Sequence, residues 1–313
     1  MTPRPAVSPA AAVAAVGVAL LAGVYFVAVV DGLVAARVAG RPMAAGSLMA
    51  RPLRRAAWLM LQPRTTTEHP DGGAWALAPA ALGALAAGGL VVVPLSAHTA
   101  VADVADGIVL FGAAMALVMV AVFLAGWSPN SPMPLVGGYR FVAQALSYEM
   151  PIALVLIAVA LPARSLAVGA IVESQHGLWN IVRQPLGLPL YLVAATGIAF
   201  WGPLNLPDAA DLAGGTAAES SGSALLAWQV ARAAVLVSTA AMGAAAFLGG
   251  WWGPLLPGPL WVTVKTAVLL AVIVAAGHRL ARVRLERFVV VAWVALIPLA
   301  LLDVFASGLL ALR

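Results

Sequence analysis

The chain has 313 residues, of which 63% are hydrophobic and only 9% charged, against about 25% charged in soluble domains. So little charge cannot cover a water-facing surface of this size, which excludes an ordinary soluble enzyme and makes hydrocarbon the expected solvent. A net charge of +5 then reads as a topology signal rather than a nucleic-acid footprint, and the lack of cysteine excludes disulfides and thiolate ligation of iron–sulfur clusters in this chain.

A helix needs about twenty apolar residues to cross a hydrocarbon core roughly 30 Å thick. That length predicts an all-α, polytopic membrane protein forming a single membrane domain, with about eight spans near 10–30, 75–96, 107–126, 141–161, 186–203, 224–248, 259–277 and 288–311. The first stretch is too long for a signal-peptide core and is read as a retained span. Between the first two spans, Leu48, Leu53, Ala57, Leu59, Met60 and Leu61 alternate with Arg51, Arg54 and Arg55 at roughly helical spacing. This predicts an amphipathic helix over about 46–62, lying on the membrane surface with its arginines towards anionic lipid or a partner. The fifth span is short and ends in Pro203 and Pro207, so a broken or re-entrant segment is expected there. Trp127, Trp251, Trp252 and Trp261 fall near span ends, where amphipathic rings settle at the headgroup level.

Orientation follows from the basic residues. With eight spans, Arg37, Arg41, Arg51, Arg54, Arg55, Arg64, Arg140, Arg279, Arg282, Arg284 and Arg287 fall on one side, and only Arg4, Arg164, Arg183 and Arg313 on the other. The positive-inside rule puts the first set in the cytoplasm and both termini outside, in a bacterial inner or plasma membrane.

Ionised groups at membrane depth are costly and therefore informative. Arg140, Gln144 and Tyr148 recur every four residues and share a helix face, while Glu149 points elsewhere. A carboxylate at that depth either handles protons or makes a structural hydrogen bond that fixes helix packing. Arg232 and Lys265 are intramembrane cations that must pair or snorkel. Asp303, near the far end of the last span, reads as a solvated terminus. The histidines at 69, 98, 176 and 278 make no facing intramembrane pair, which argues against haem b, and no nucleotide-binding glycine motif occurs.

Several pieces, in order, resemble the H subunit of respiratory complex I (mitochondrial subunit 1). They include Gly126-Trp127, Leu135-Val-Gly-Gly138, Arg140, Gln144, Ser147-Tyr148-Glu149, Gln184-Pro-Leu-Gly187, Leu206-Pro207, Phe247-Leu-Gly-Gly-Trp251 and Leu256-Pro-Gly-Pro-Leu-Trp261. The resemblance covers most of 107–313. It implies a membrane-arm subunit of a proton-translocating NADH–quinone oxidoreductase, with no catalytic centre or bound cofactor of its own. Quinone would be the substrate of the complex, and flavin and Fe–S clusters would sit in partner chains. It further implies that Arg140, Gln144, Tyr148, Glu149, Asp208, Asp211 and Glu219 lie at the quinone chamber or proton route. The basic groups Arg51, Arg54, Arg55, Arg279, Arg282, Arg284 and Arg287 would face quinone-proximal peripheral subunits.

The chain also departs from the family. Where the family has a Glu, an Arg and an Asp, this sequence has Ile198, Trp201 and Asn205, and a further family Glu falls on Arg232. The family's Gln-Pro-Leu-Ala-Asp appears as Arg51-Pro-Leu-Arg-Arg55. An isoleucine binds no proton and an arginine releases none at usable pH. The expectation is a divergent paralogue with impaired or rerouted proton transfer. Two alternatives stay open: the membrane anchor of a membrane-bound hydrogenase-type complex, and an independent solute permease.

Overall fold

The fold comes from a computed structural model that describes residues 9–41, 45–96, 101–102 and 104–312. The expectations for Arg4, His98 and Arg313 lie outside the described residues. Within them the chain is entirely helical, and seven helices are long and apolar enough to cross a membrane.

The seven are α1 (Pro9–Val38), α3 (Gly72–Val91), α4 (Gly107–Trp127), α5 (Pro132–Ala163), α9 (Gly222–Phe247), α10 (Gly258–Arg279) and a final one built from α11 (Leu285–Val291) and α12 (Ile297–Ala311). Shorter helices lie between them: α2 (Ala45–Leu61), α6 (Val168–Glu173), α7 (Asn180–Arg183) and α8 (Gly187–Ile198). Their ends follow local chemistry. The Asp71 carboxylate accepts the Ala74 amide at 3.1 Å and caps α3. Extended Ser131 followed by Pro132 opens α5, and Arg164 in the left-handed region (φ 48°) closes it. One wide π turn over Ala292–Leu296 joins α11 to α12 just before Pro298, whose ring would strike the preceding turn of a regular α-helix.

Helix α9 runs through the middle of the bundle, almost wholly buried along its most apolar stretch. Its Ala240, Ala241, Gly243, Ala244, Ala245 and Ala246 let α3, α8 and α10 approach closely, as packing in lipid requires. Outward-facing side chains such as Val18, Leu117, Val272 and Phe305 are large and apolar, as expected of a lipid-contacting wall.

Two predicted spans differ from the structure in an instructive way. The first helix continues eight residues beyond the predicted span, carrying Asp31 and Arg37 into its last turns. The fifth is helical only as α8 (Gly187–Ile198), 12 residues or roughly 18 Å, so helix alone does not fill the predicted span. The chain then unwinds through 199–221 in short 3₁₀ turns to reach the start of α9. Phe200 and Gly202 adopt positive φ (39° and 52°), and the carbonyl-rich end of α8 is left for side chains to satisfy. Gly202 is needed for a second reason: a Cβ there would lie 2.6 Å from the Cα of Gly277 on α10.

Helix α2 (Ala45–Leu61) occupies the predicted surface-helix position, with Leu59 buried and Arg51, Arg54 and Arg55 exposed. It is tied to α1 by the Tyr25 hydroxyl, which donates to the Met49 carbonyl at 2.9 Å. Of the four predicted interfacial tryptophans, Trp127 is exposed but Trp251 is buried, and Trp252 donates to the Val172 carbonyl at 3.1 Å. The double-glycine turn before them folds these rings back onto the bundle.

Candidate functional site

The unwound segment after α8 organises a polar site inside an apolar bundle. The last carbonyls of a helix have no partners of their own, and in hydrocarbon each would cost several kcal/mol. Three side chains from neighbouring segments meet them. Gln144 of α5 donates through Nε2 to the Gly197 carbonyl at 2.7 Å. Arg232 of α9 donates through Nη2 to the Phe200 carbonyl at 2.5 Å and reaches the Ala199 carbonyl at 3.5 Å. The Asn205 amide, in the orientation that suits its neighbours, adds a bond to the Phe200 carbonyl at 3.2 Å. A cation at a helix C-terminus is also favoured by the helix dipole.

Arg232 makes the charge balance of this site. Its Nη1 lies 3.4 Å from Asp208, and its guanidinium carbon sits 4.8 Å from the ring centres of both Phe200 and Trp201. The carboxylate is further held by the Thr216 hydroxyl and the Trp228 indole N–H. Burial pushes the Asp208 carboxyl above the ordinary carboxylate range; Arg232, Thr216 and Trp228 pull it back down. Arg232 therefore pairs with Asp208 and not with Glu149.

On the same face of α5 as Gln144, one helical turn away, Arg140 bonds Asp211 at 2.7 Å. That hydrogen bond, with the Arg140 charge, holds Asp211 below the usual carboxylate range, although the group is mostly exposed. Glu219 accepts from Ser131 at 2.8 Å and fastens the loop to the start of α5. Tyr148 is buried against Gly197. Arg140, Gln144 and Tyr148 thus share one face towards α8 and the loop, as their spacing predicts. Glu149 lies apart and, with Tyr148 and Ile198, lines a cavity of about 360 Å³ between α4 and α5.

A larger cavity, about 700 Å³, lies between α1, α2, α9, α10 and the unwound loop. One part of its wall is apolar (Leu21, Val24, Val27, Leu226). The other is polar and mostly cationic: Asp31, Arg51, Arg55, Asn205, Arg232, His278 and Arg282. Arginines of the two Arg-rich connections therefore meet at one opening. His278 Nε2 lies 2.8 Å from Asp31 across the mouth, joining the ends of α1 and α10. Arg279, Arg284 and Arg287 are exposed beside it, and the Val283 amide bonds the Pro203 carbonyl at 2.9 Å, tying this basic connection to the loop.

Sequence reasoning missed Asp31, Trp228 and the role of His278, and met Asn205 only as a departure from the resembled family. Asp31 directly follows the first predicted span and His278 the seventh, so each carries an end-of-span signal. Their partnership, across 247 residues, does not.

Lys265 is buried rather than snorkelling. Its ammonium donates to the carbonyls of Gly250 at 2.9 Å and Trp252 at 2.6 Å and sits 4.1 Å over the Trp179 ring, pinning the double-glycine turn to α10. Asp303, expected to be solvated, is buried at 3% exposure on the face of α12 that packs against α5 and α8.

A sequence profile described as NADH dehydrogenase matches residues 10–308. The chain is 33% identical over 250 residues to the second NADH-quinone oxidoreductase H subunit of Rhodopseudomonas palustris, covering 78% of each chain. It is 33% identical over 243 residues to the second NADH-quinone oxidoreductase H subunit of Cereibacter sphaeroides, covering 77% of this chain and 76% of the relative. It is 30% identical over 270 residues to the NADH-quinone oxidoreductase H subunit of Syntrophotalea carbinolica, covering 83% and 82%. The family match along nearly the whole chain and the apolar helices together identify a multi-pass membrane protein that belongs to the H-subunit family of complex I.

Proposed function

We propose that this chain forms part of the quinone chamber of a complex I-like assembly and docks its peripheral subunits. The cavity of about 700 Å³ carries the reading. Its volume falls in the range of small-molecule sites, and its two-sided wall suits an amphipathic ligand. The apolar part accepts an isoprenoid tail. Asn205, His278, Arg232 and the α2 arginines offer donors to ring carbonyl oxygens, which accept hydrogen bonds and carry negative charge on reduction. Without cysteine this chain has no thiolate to ligate an Fe–S cluster; flavin and clusters would sit in partner subunits, and these residues would bind and orient quinone. The exposed row Arg279, Arg282, Arg284 and Arg287, with Arg54, would form the cationic docking face towards those partners on the cytoplasmic side, with both termini outside.

Four of the departures that the resemblance implies, Ile198, Trp201, Asn205 and Arg232, lie in or beside the unwound segment. Ile198 offers no proton site, and Arg232 is committed to Asp208 and two carbonyls. We therefore propose that proton input through this segment is impaired or rerouted.

Ala28 lines the cavity on α1, so Ala28→Trp would narrow it without removing a charged group. In membranes holding the assembled complex, the variant should raise the KM for a short-chain quinone severalfold, with normal subunit content. An unchanged KM in a normally assembled complex would remove the cavity from the quinone path.

A further inference from the structure

The buried polar group that the quinone reading leaves unused is Asp303, on a different part of the molecule from the cavity. Its Oδ2 has no hydrogen-bond partner. Two other buried oxygens near it are also unpartnered: Oγ of Ser307, one turn further along the same face of α12, and Oε1 of Gln184. Gln184 is oriented by its own Nε2, which donates to the Ala158 carbonyl of α5 at 2.7 Å, leaving Oε1 free to accept. Gly187, at the start of α8, makes the approach possible. A Cβ there would sit 3.1 Å from Asp303 Oδ2, 3.5 Å from the Gln184 Cβ and 2.8 Å from the Phe247 ring.

An ionised carboxylate in this setting would find no charged side chain on α8 and no donor in Gln184 Oε1, and the Ser307 hydroxyl, which can donate, makes no hydrogen bond to it. The charged residues of α5 and its cap are Arg140, Glu149 and Arg164. Arg140 is bonded to Asp211, Arg164 donates to the Ala311 carbonyl at 3.0 Å, and Glu149 is nine residues, roughly 13 Å, along the helix from Ala158. Among the described residues no ion pair joins Asp303 to a cation, Arg183 beside Gln184 included. A proton neutralises the carboxylate and turns one oxygen into a donor that Gln184 Oε1 or Ser307 Oγ can accept.

We propose that Asp303 is an intramembrane proton-binding site at the α5–α8–α12 junction, beside the unpartnered oxygens of Gln184 and Ser307. The site sits eight residues, roughly 12 Å, from the Ala311 end of α12, beside the connection between α5 and α8. It is separated from the Asp208–Arg232 pair by the length of α8 and does not depend on what fills the large cavity.

The test uses the assembled complex in its own membranes and two readouts. A lipophilic carbodiimide adds to neutral carboxylic acids at membrane depth, taking up the acid proton on nitrogen as the carboxyl oxygen bonds its central carbon. Peptide mapping should find the adduct on Asp303, and Asp303→Asn should lose it. Infrared difference spectra of wild type against Asp303→Asn at neutral pH should show loss of a neutral-acid carbonyl band, and Ser307→Ala should shift that band. Loss of carboxylate bands instead would overturn the proposal whether or not the label forms. Protection of Asp303 from the label by sodium would also overturn it, replacing the proton with a metal cation.

Discussion

The guanidinium of Arg232 lies 4.8 Å from the centre of the Trp201 ring, so a cation on α9 faces an indole of the unwound segment across one gap. There Arg232 sets a positive charge beside the carbonyls that end α8 and beside Asp208. The arrangement is a helix cap supplied by a neighbouring helix.

Removing one partner of a buried pair leaves the other charged and alone, at a cost on the order of 3–5 kcal/mol. Arg232→Met should therefore lower the melting temperature of the complex sharply and expose the loop to protease. Adding Asp208→Asn should recover much of the loss. Equal melting of the single and double variants would contradict the pairing.

The two loop acids should act oppositely in acid titrations of stability. Burial raises Asp208 above its ordinary 3.8, so the folded state holds its proton more tightly and its contribution declines as pH rises from that value through the raised one. Asp211 is lowered by its Arg140 hydrogen bond, so its contribution is present above 3.8 and fades as pH falls through the lowered value. Because Asp211 is exposed, Asp211→Asn should cost no more than about 1 kcal/mol at neutral pH, and less in high salt. Unfolding curves of Asp208→Asn and Asp211→Asn between acid and neutral pH should diverge from wild type in opposite directions.

Gly202→Ala should be worse than Gly277→Ala. The first puts a Cβ 2.6 Å from a backbone atom at φ 52°, a region that costs side-chain-bearing residues about 1–2 kcal/mol before any clash, while the second meets its neighbour at 3.1 Å. Expression and thermal stability of the two variants check the order.

Gln144→Leu should leave the Gly197 carbonyl without its donor, at about 1–3 kcal/mol. Gln144→Glu should keep that bond only while its carboxyl is protonated, since a carboxylate donates nothing. Amide exchange at the last turn of α8 should rise in the first variant at any pH and in the second as pH rises.

Much of the fold was legible because hydrocarbon imposes a length rule on helices, and the ends of α4, α9 and α10 follow it closely. The face shared by Arg140, Gln144 and Tyr148 was legible from spacing alone. The truncation of α8 showed only as two prolines, because unwinding there is made tolerable by Gln144 and Arg232 on other helices. Asp303 was misread for a related reason. Distance from a chain end suggests solvent, whereas packing of α12 on α5 and α8 decides burial. The pairs Arg232–Asp208 and His278–Asp31 join segments distant in sequence and carry no local pattern.

The central claim is that quinone enters the cavity between α1, α2, α9 and α10. Photolabelling the active complex with a photoreactive quinone analogue, followed by peptide mapping of this protein, tests it most directly. Label on the segments carrying Val24–Asp31, Arg51–Ala56 or Leu226–Ala233, displaced by excess quinone, is the predicted result. Displaceable label confined to other segments, or to other subunits, would contradict it.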